Sequence, residues 1–353
     1  MYNEIMELGN EQIPYFRNQE FSNMMLELDA NLKHILNMDK DDKNIFLTAS
    51  GTAAMEAAVI NCLDKNDRIL IISGGSFGER FEQICEIYNL TYEVLRVENG
   101  ECFEAERLNE YDNRGYTALL VNIHETSIGQ LYPIDVISQF CTKNNILLIV
   151  DGISSVFADP LDFSALGIGV LIYSSQKALA LPPGIAVVAL KKSVYEKRVE
   201  GKHKCLYFDF NEYVDNFKRG QTPFTPAIGI LYQMSKMVSL IGEQQIEKKI
   251  AYTKMLAEDF RNKALSNGFK IPQYPLSNAL TPMLFNGDAG IYYRRLIEDY
   301  SITVNPCGGQ NKDIMLRVGH IGNISVEDNS VLIKAFVDIR EKIKRSGDCD
   351  CGV

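Results

Sequence analysis

Ser50-Gly51-Thr52 stands where a short apolar run ends and a helical pattern begins. Free backbone N–H groups and the positive end of a helix dipole face out of such a junction, so a phosphate could be held there. The alternative is an ordinary N-cap, a common use of Ser and Thr. Gly74-Gly75-Ser76-Phe77-Gly78-Glu79-Arg80 follows another apolar run. Its glycines would let the backbone approach a ligand closely, and Phe77 could lay a flat face on a heteroaromatic ring. A turn with a core phenylalanine is the other reading. The spacing is not G-x-G-x-x-G, so the dinucleotide fingerprint is missing. In His124-Glu125-Thr126-Ser127-Ile128-Gly129, Glu125 follows largely apolar residues and needs a partner. Asp151 closes the run Ile146-Leu147-Leu148-Ile149-Val150 in the same way. It either pairs with a cation or caps the turn Gly152-Ile153-Ser154-Ser155. Lys177 lies in Tyr173-Ser174-Ser175-Gln176-Lys177-Ala178-Leu179, among apolar and small residues. Most lysines are solvated surface groups, but a desolvated one has a depressed pKa and is a competent Schiff-base amine.

A phosphate cradle, an aromatic plate, hydroxyls, a carboxylate and a lysine are the groups that pyridoxal phosphate requires. Its aldehyde needs a Lys, its pyridinium nitrogen an acid, and its phosphate a helix N-terminus. The elements that would position them alternate. Residues 45–48, 68–72, 91–97, 118–123, 146–150, 170–173 and 185–190 read as strands, with helices at 53–63, 79–88 and 136–143. Apolar strands alternating with helices predict a mostly parallel sheet covered on both faces, with ligands at the carboxyl ends of the strands. Beyond about residue 226 the pattern changes to helices at 228–241 and 243–265. A smaller α+β unit follows, with strands at 282–285, 302–305 and 314–318 and helices at 292–299 and 330–343.

The segments ASGTAAMEAAV, GGSFGER, HETSIG, VDGISS, SSQKALALPPG, TPFTPA and LRVGHIG together make the chain resemble the class V aminotransferases of fold-type I, from about residue 20 to 343. The branches it most resembles are alanine–glyoxylate/serine–pyruvate aminotransferase and 2-aminoethylphosphonate–pyruvate transaminase. The resemblance implies a mostly parallel seven-stranded sheet flanked by helices and a small α+β C-terminal domain. It divides the chain into a pyridoxal-phosphate domain at 20–240 and a small domain at 241–353, joined by 1–19. It implies that Lys177 carries the cofactor as a Schiff base and moves the proton, and that Asp151 pairs the ring nitrogen. Phe77 stacks on the ring, and Thr126 lies by the ring hydroxyl. Ser50, Gly51, Thr52 and Gln176 hold the phosphate. Thr225 is lent to a neighbouring subunit's phosphate site, so a homodimer is implied. Arg317 receives the substrate carboxylate, for which its planar fork suits it.

Departures accompany the likeness. Thr222 stands where the alanine–glyoxylate enzymes carry a Tyr at the neighbour's phosphate site, and the motif at His124 is one residue shorter than theirs. Family members usually open with a Gly/Pro-rich segment that lines the substrate pocket, whereas this sequence starts at Met1-Tyr2-Asn3-Glu4. A shortened start leaves a cofactor-binding but inactive homologue or partner subunit as an alternative. The lyase and desulfurase branch is a further alternative. It usually places a His where Gln176 stands, and Cys307 is the only candidate for its nucleophilic thiol. Residues 202–210 and Tyr293-Arg294-Arg295-Leu296 look like the aminoethylphosphonate enzymes, while Ser174-Ser175-Gln176-Lys177 looks like alanine–glyoxylate. Both branches point to an amino donor and a 2-oxo acid acceptor, pyruvate or glyoxylate.

Composition agrees with this class. The 353 residues suit two domains at about 150 residues each. Hydrophobic residues at 46% and charged residues at 23% exclude wholesale disorder and fibrous repeats. A formal net charge of −10 argues against nucleic acid and anionic membrane as partners. No apolar run reaches the roughly 20 residues of a spanning helix, and 1–12 has no signal-peptide core. The 8 cysteines show no C-x-x-C pair, and 4 histidines give a metal site little to build from. A reduced, cytoplasmic protein without metal is expected, with Cys349 and Cys351 in a frayed tail.

Overall fold

Most strands in the first two-thirds of the chain are apolar on both of their alternating faces because both faces are buried; Thr91–Arg96, at the sheet edge, is more polar and only partly buried. The computed structural model describes residues 1–98 and 100–346, and Cys349 and Cys351 lie outside them. Seven strands form one sheet: β1 (Lys43–Leu47), β2 (Arg68–Ser73), β3 (Thr91–Arg96), β4 (Ala118–Asn122), β5 (Leu147–Asp151), β6 (Val170–Ser174) and β7 (Ala186–Leu190). Their order is β1-β7-β6-β5-β4-β2-β3, and only β7 runs against the others. The seven-stranded, mostly parallel sheet is thus as expected.

Successive side chains point to opposite faces, so each strand feeds two cores. Leu70, Ile72, Leu119, Val121 and Val150 meet α2 (Gln19–Ile35) and α7 (Ile228–Gln244) through Phe21, Leu28 and Leu231. Ile69, Ile71, Ala118, Leu120 and Ile149 meet α3 (Gly51–Cys62) and α4 (Gly78–Ile87) through Ala54, Ala58 and Phe81. α5 (Ile134–Asn144) adds Ile137 and Phe140 to the first core, and α6 (Phe210–Phe217) adds Tyr213 and Val214 to the second.

A third core lies in the C-terminal unit. Phe260 of α8 (Ile246–Ser266) and Phe336 of α10 (Val326–Ser346) pack with Leu296 of α9 (Ala289–Tyr300). They cover a three-stranded sheet of β8 (Leu280–Leu284), β10 (Met315–Gly319) and β9 (Asn305–Pro306), in that order. The strand expected at 302–305 is reduced to Asn305–Pro306. Ser301 ends α9 in the left-handed region with φ 55°, and the Ile302 N–H folds back onto the Leu296 carbonyl at 2.9 Å, as a helix C-terminus prefers. α10 starts earlier than expected because Ser325 and Asp328 exchange hydrogen bonds of 2.8 and 3.2 Å in a reciprocal cap.

The N-terminal helix α1 (Asn3–Leu8) touches both units. Ile5 joins the first core, with its carbonyl accepting from Gln233 at 3.0 Å, while Tyr2 donates to the Gly322 carbonyl at 3.4 Å. Among the described residues, no helix is long and apolar enough to cross a membrane.

Candidate active site

The parallel register of β4 and β5 sets Asn122 beside Asp151. Asn122 Nδ2 donates to Asp151 Oδ2 at 2.6 Å, and the Ile153 N–H donates to Oδ1 at 2.9 Å. Asp151 is buried with no ion-pair partner among the described residues, and burial pushes its carboxyl up to about 6. The cap reading of Asp151 is therefore correct as far as it goes. The carboxylate nevertheless has no cation of its own, and the low dielectric around it favours one.

Lys177 lies just past β6; its carbonyl accepts from the Ala180 N–H at 2.8 Å, while its amine has no hydrogen-bond or ion-pair partner among the described residues. Its amine is held below the usual lysine range, first by desolvation. Asp151 opposes that shift and Arg317 adds to it, so all three groups share one electrostatic neighbourhood. The loop carrying Lys177 is fixed by Ser175, whose hydroxyl donates to the Pro182 carbonyl at 2.7 Å and accepts from the Ile185 N–H at 3.3 Å. Gln176 Oε1 and Ser174 Oγ beside it are buried without partners among the described residues.

Ser50 caps α3, its hydroxyl accepting weakly from the Ala53 N–H at 3.4 Å. Gly51 is needed for packing, since a Cβ there would lie 2.4 Å from Ile153 Cδ1, on the turn after Asp151. Thr52 Oγ1 accepts from Arg80 Nη1 at 2.9 Å, and the same guanidinium lies 4.8 Å from the centre of the Phe77 ring. Arg80 thus joins the triplet to the glycine-rich loop and brings a positive charge to both.

Glu125 finds its partner in a helix N-terminus. Its carboxylate accepts from the Gly78 N–H at 3.0 Å and the Phe77 N–H at 3.4 Å, and from Ser127 through N–H at 3.1 Å and Oγ at 2.5 Å. It is completely buried. The loop packs so closely on it that a Cβ on Gly75 would lie 2.6 Å from Glu125 Cδ and 2.3 Å from Ser127 Oγ. Thr126 Oγ1 is 2.8 Å from Ser154 Oγ, on the turn after β5. His124 is buried, with Nδ1 3.4 Å from the Ser154 carbonyl and Nε2 unpartnered. Burial lowers its pKa to about 3, so the ring is neutral.

Arg317 reaches across from β10. Nη1 donates to the Thr126 carbonyl at 2.9 Å and Nη2 to the Pro306 carbonyl at 2.8 Å, while Nε is buried and unpartnered. A cleft of about 480 Å³ opens between Gly74, Phe77 and Ser127 on one side and Cys307, Asn311 and Arg317 on the other. Asp151, Lys177 and Ser50 lie outside its lining. Thr225 is exposed and makes no hydrogen bond among the described residues. It stands two residues before Ala227, whose N–H donates to Thr48 Oγ1 at 3.0 Å. Thr222 is buried, its hydroxyl donating to the Phe224 carbonyl at 2.7 Å. Cys307, the thiol required by a desulfurase, is buried and its pKa is raised by desolvation, opposite to an activated thiolate.

These groups fit pyridoxal phosphate. A buried carboxylate lacks a cation, an amine lacks a partner, and a helix N-terminus carries two hydroxyls and a nearby guanidinium. Asn122, Arg80 and the role of Glu125 were not read from the sequence. Asn122 could have been found from strand alignment, because it ends β4 as Asp151 ends β5.

The family model described as aminotransferase class-V matches residues 11–279. An uncharacterised aminotransferase of Methanocaldococcus jannaschii is 30% identical over 94% of this chain and 89% of its own. A serine–glyoxylate aminotransferase of Arabidopsis thaliana is 28% identical over 81% of this chain and 77% of its own. Among solved structures, an alanine–glyoxylate aminotransferase from Nostoc superposes with a TM-score of 0.89 at 23% identity, covering 96% of this chain and 92% of that one.

Proposed function

We propose, for a chain that belongs to the class V aminotransferases and uses pyridoxal phosphate, that it transfers an amino group from an amino acid or 2-aminoethylphosphonate to pyruvate or glyoxylate. The observation that carries this reading is the free Lys177 amine in the electrostatic neighbourhood of Asp151 and Arg317. The likeness to a serine–glyoxylate aminotransferase supports the acceptor class.

When bound, the cofactor supplies an electron sink that stabilises negative charge at the substrate α-carbon. The protein's part rests on its own groups. Lys177 Nζ, whose pKa desolvation lowers, would serve as the base that moves the substrate α-proton. Asp151 would pair the cofactor's ring nitrogen, and Asn122 and the Ile153 N–H keep its carboxylate oriented. Phe77 presents its ring with Arg80 stacked on one face, and Thr126 is held at the turn after β5 by Ser154. Ser50, Gly51, Thr52 and Gln176 bind the phosphate, with Arg80 adding charge at Thr52. Arg317, held by carbonyls from both units, orients the substrate carboxylate.

Residues 20–240 act as the cofactor domain, and 241–353, with 1–19, as the small domain. The working unit is a cytoplasmic homodimer in which Thr225 serves the partner's phosphate site. The exposed apolar residues Ile13, Tyr15 and Leu206, at 62%, 67% and 79% exposure, support a partner surface. Steady-state assays with 2-aminoethylphosphonate, serine and alanine as donors, each against pyruvate and glyoxylate, test it. Turnover with at least one pair is expected, and no turnover with any pair would sink the proposal.

A further inference from the structure

A second cavity, of about 390 Å³, lies away from the cleft, where α1, the α7–α8 junction and the turn after β10 meet. Its walls mix polar and apolar surface, the apolar part including Met237, Leu240, Ile241 and Leu256 of α7 and α8. Gln244, Thr253 and Asn323 line it as well, together with three further polar features. The Lys249 amine is half-buried, yet it has no hydrogen-bond or ion-pair partner among the described residues. His320, 1% exposed, lines the cavity with Nδ1 unpartnered, its Nε2 being 2.8 Å from Thr281 Oγ1. Two tyrosines, Tyr2 and Tyr252, stand at the wall with their hydroxyls turned to the carbonyls of Gly322 and Ile324.

We infer that this cavity is a second ligand site, one that takes a small monocarboxylate with an apolar tail, its carboxylate paired with Lys249. An amine partly withdrawn from water without a counter-charge is unfavourable, and an anion entering from solvent corrects that. Desolvation already holds Lys249 below the usual lysine range, and no carboxylate of the described residues is among the causes. Glu4 also lines the cavity but is exposed, and Lys248 adds a second positive charge at the mouth. The four aliphatic side chains suit a short hydrocarbon tail, and burying one contributes roughly 0.8 kcal/mol per CH₂. An inorganic anion would use the lysines and leave that surface wet.

Binding of octanoate to the holoenzyme, followed by isothermal titration calorimetry, tests this. Octanoate has neither an amino nor a keto group, so it cannot enter the transamination reaction. Saturable binding is expected in the parent enzyme. Lys249→Met should weaken it at least tenfold, and Leu240→Trp, which fills the cavity, should abolish it. Arg317→Lys, in the cleft, should leave it within twofold. Absence of binding, binding unaffected by both cavity variants, or loss of binding in Arg317→Lys would each overturn the inference. Chloride or phosphate competing as well as octanoate would overturn the apolar-tail assignment. The result is independent of the transamination reading, since an inactive holoenzyme would still bind octanoate here.

Discussion

Asp151 is where chemistry and stability pull against each other. Its folded pKa of about 6 lies above the ordinary 3.8. A carboxyl raised on folding costs nothing below pH 4, and its cost grows as pH climbs through 6. The cofactor-free protein is therefore expected to lose stability over that window. A shift from 3.8 to about 6 corresponds to at most about 3 kcal/mol. Asp151→Asn should remove that cost, because Asn122 Oδ1 is unpartnered and can accept from the new amide once Asn122 flips. The variant is expected to have a higher melting temperature than the parent at pH 8 without cofactor, and turnover reduced at least a hundredfold. Normal turnover, or a lower melting temperature, would count against the assignment of Asp151. Asp151 stood out in the sequence as a carboxylate closing an apolar run, whereas Lys177, three residues past its strand, stood out only together with the other loop groups and the resemblance. Thr225 was singled out only through the resemblance, and it makes no hydrogen bond among the described residues.

At the scale of elements, the sheet positions the site through the segment at the carboxyl end of each strand. β1 leads to the α3 N-terminus, β2 to the glycine-rich loop, β4 to Glu125, β5 to Asp151 and β6 to Lys177. The strand pattern showed this, since parallel strands buried on both faces read as continuous apolar runs. The pattern could not show how the loops brace one another, because those bonds join backbone N–H groups to side chains far apart in sequence. Glu125 is the clearest case, since a partner for it was required but α4 opens on Phe77 with no side-chain cap to mark its N-terminus. Removing that carboxylate strands the Gly78 and Ser127 N–H groups. Glu125→Ala should thus destabilise the fold by about 1–3 kcal/mol, seen as a lower urea midpoint, and weaken cofactor binding. Glu125→Gln, which keeps one acceptor, should lose less. An unchanged midpoint in Glu125→Ala would show that the loop is held by other contacts. The strand expected at 302–305 failed for a local reason, the left-handed Ser301, which turns Ile302 back onto α9.

At the scale of the whole molecule, Arg317 ties the two units together by donating to Thr126 in one and to Pro306 in the other. Arg317 also lines the cleft that both units share. In the proposed homodimer, Thr225 completes the phosphate site of the partner. Sedimentation of the holoenzyme should give twice the chain mass, and Thr225→Ala should lower cofactor affinity without changing that mass. A stable monomer with full activity would remove Thr225 from the account.

The central claim is that Lys177 and the surrounding groups run transamination on bound pyridoxal phosphate. Its most direct test is the visible absorbance of the holoenzyme during a half-reaction. An amino donor should bleach the colour, and pyruvate or glyoxylate should restore it. Lys177→Ala, still folded by circular dichroism, should fail to bleach on the same timescale. A parent enzyme whose colour no donor bleaches, or a Lys177→Ala variant that cycles at the parental rate, would contradict it.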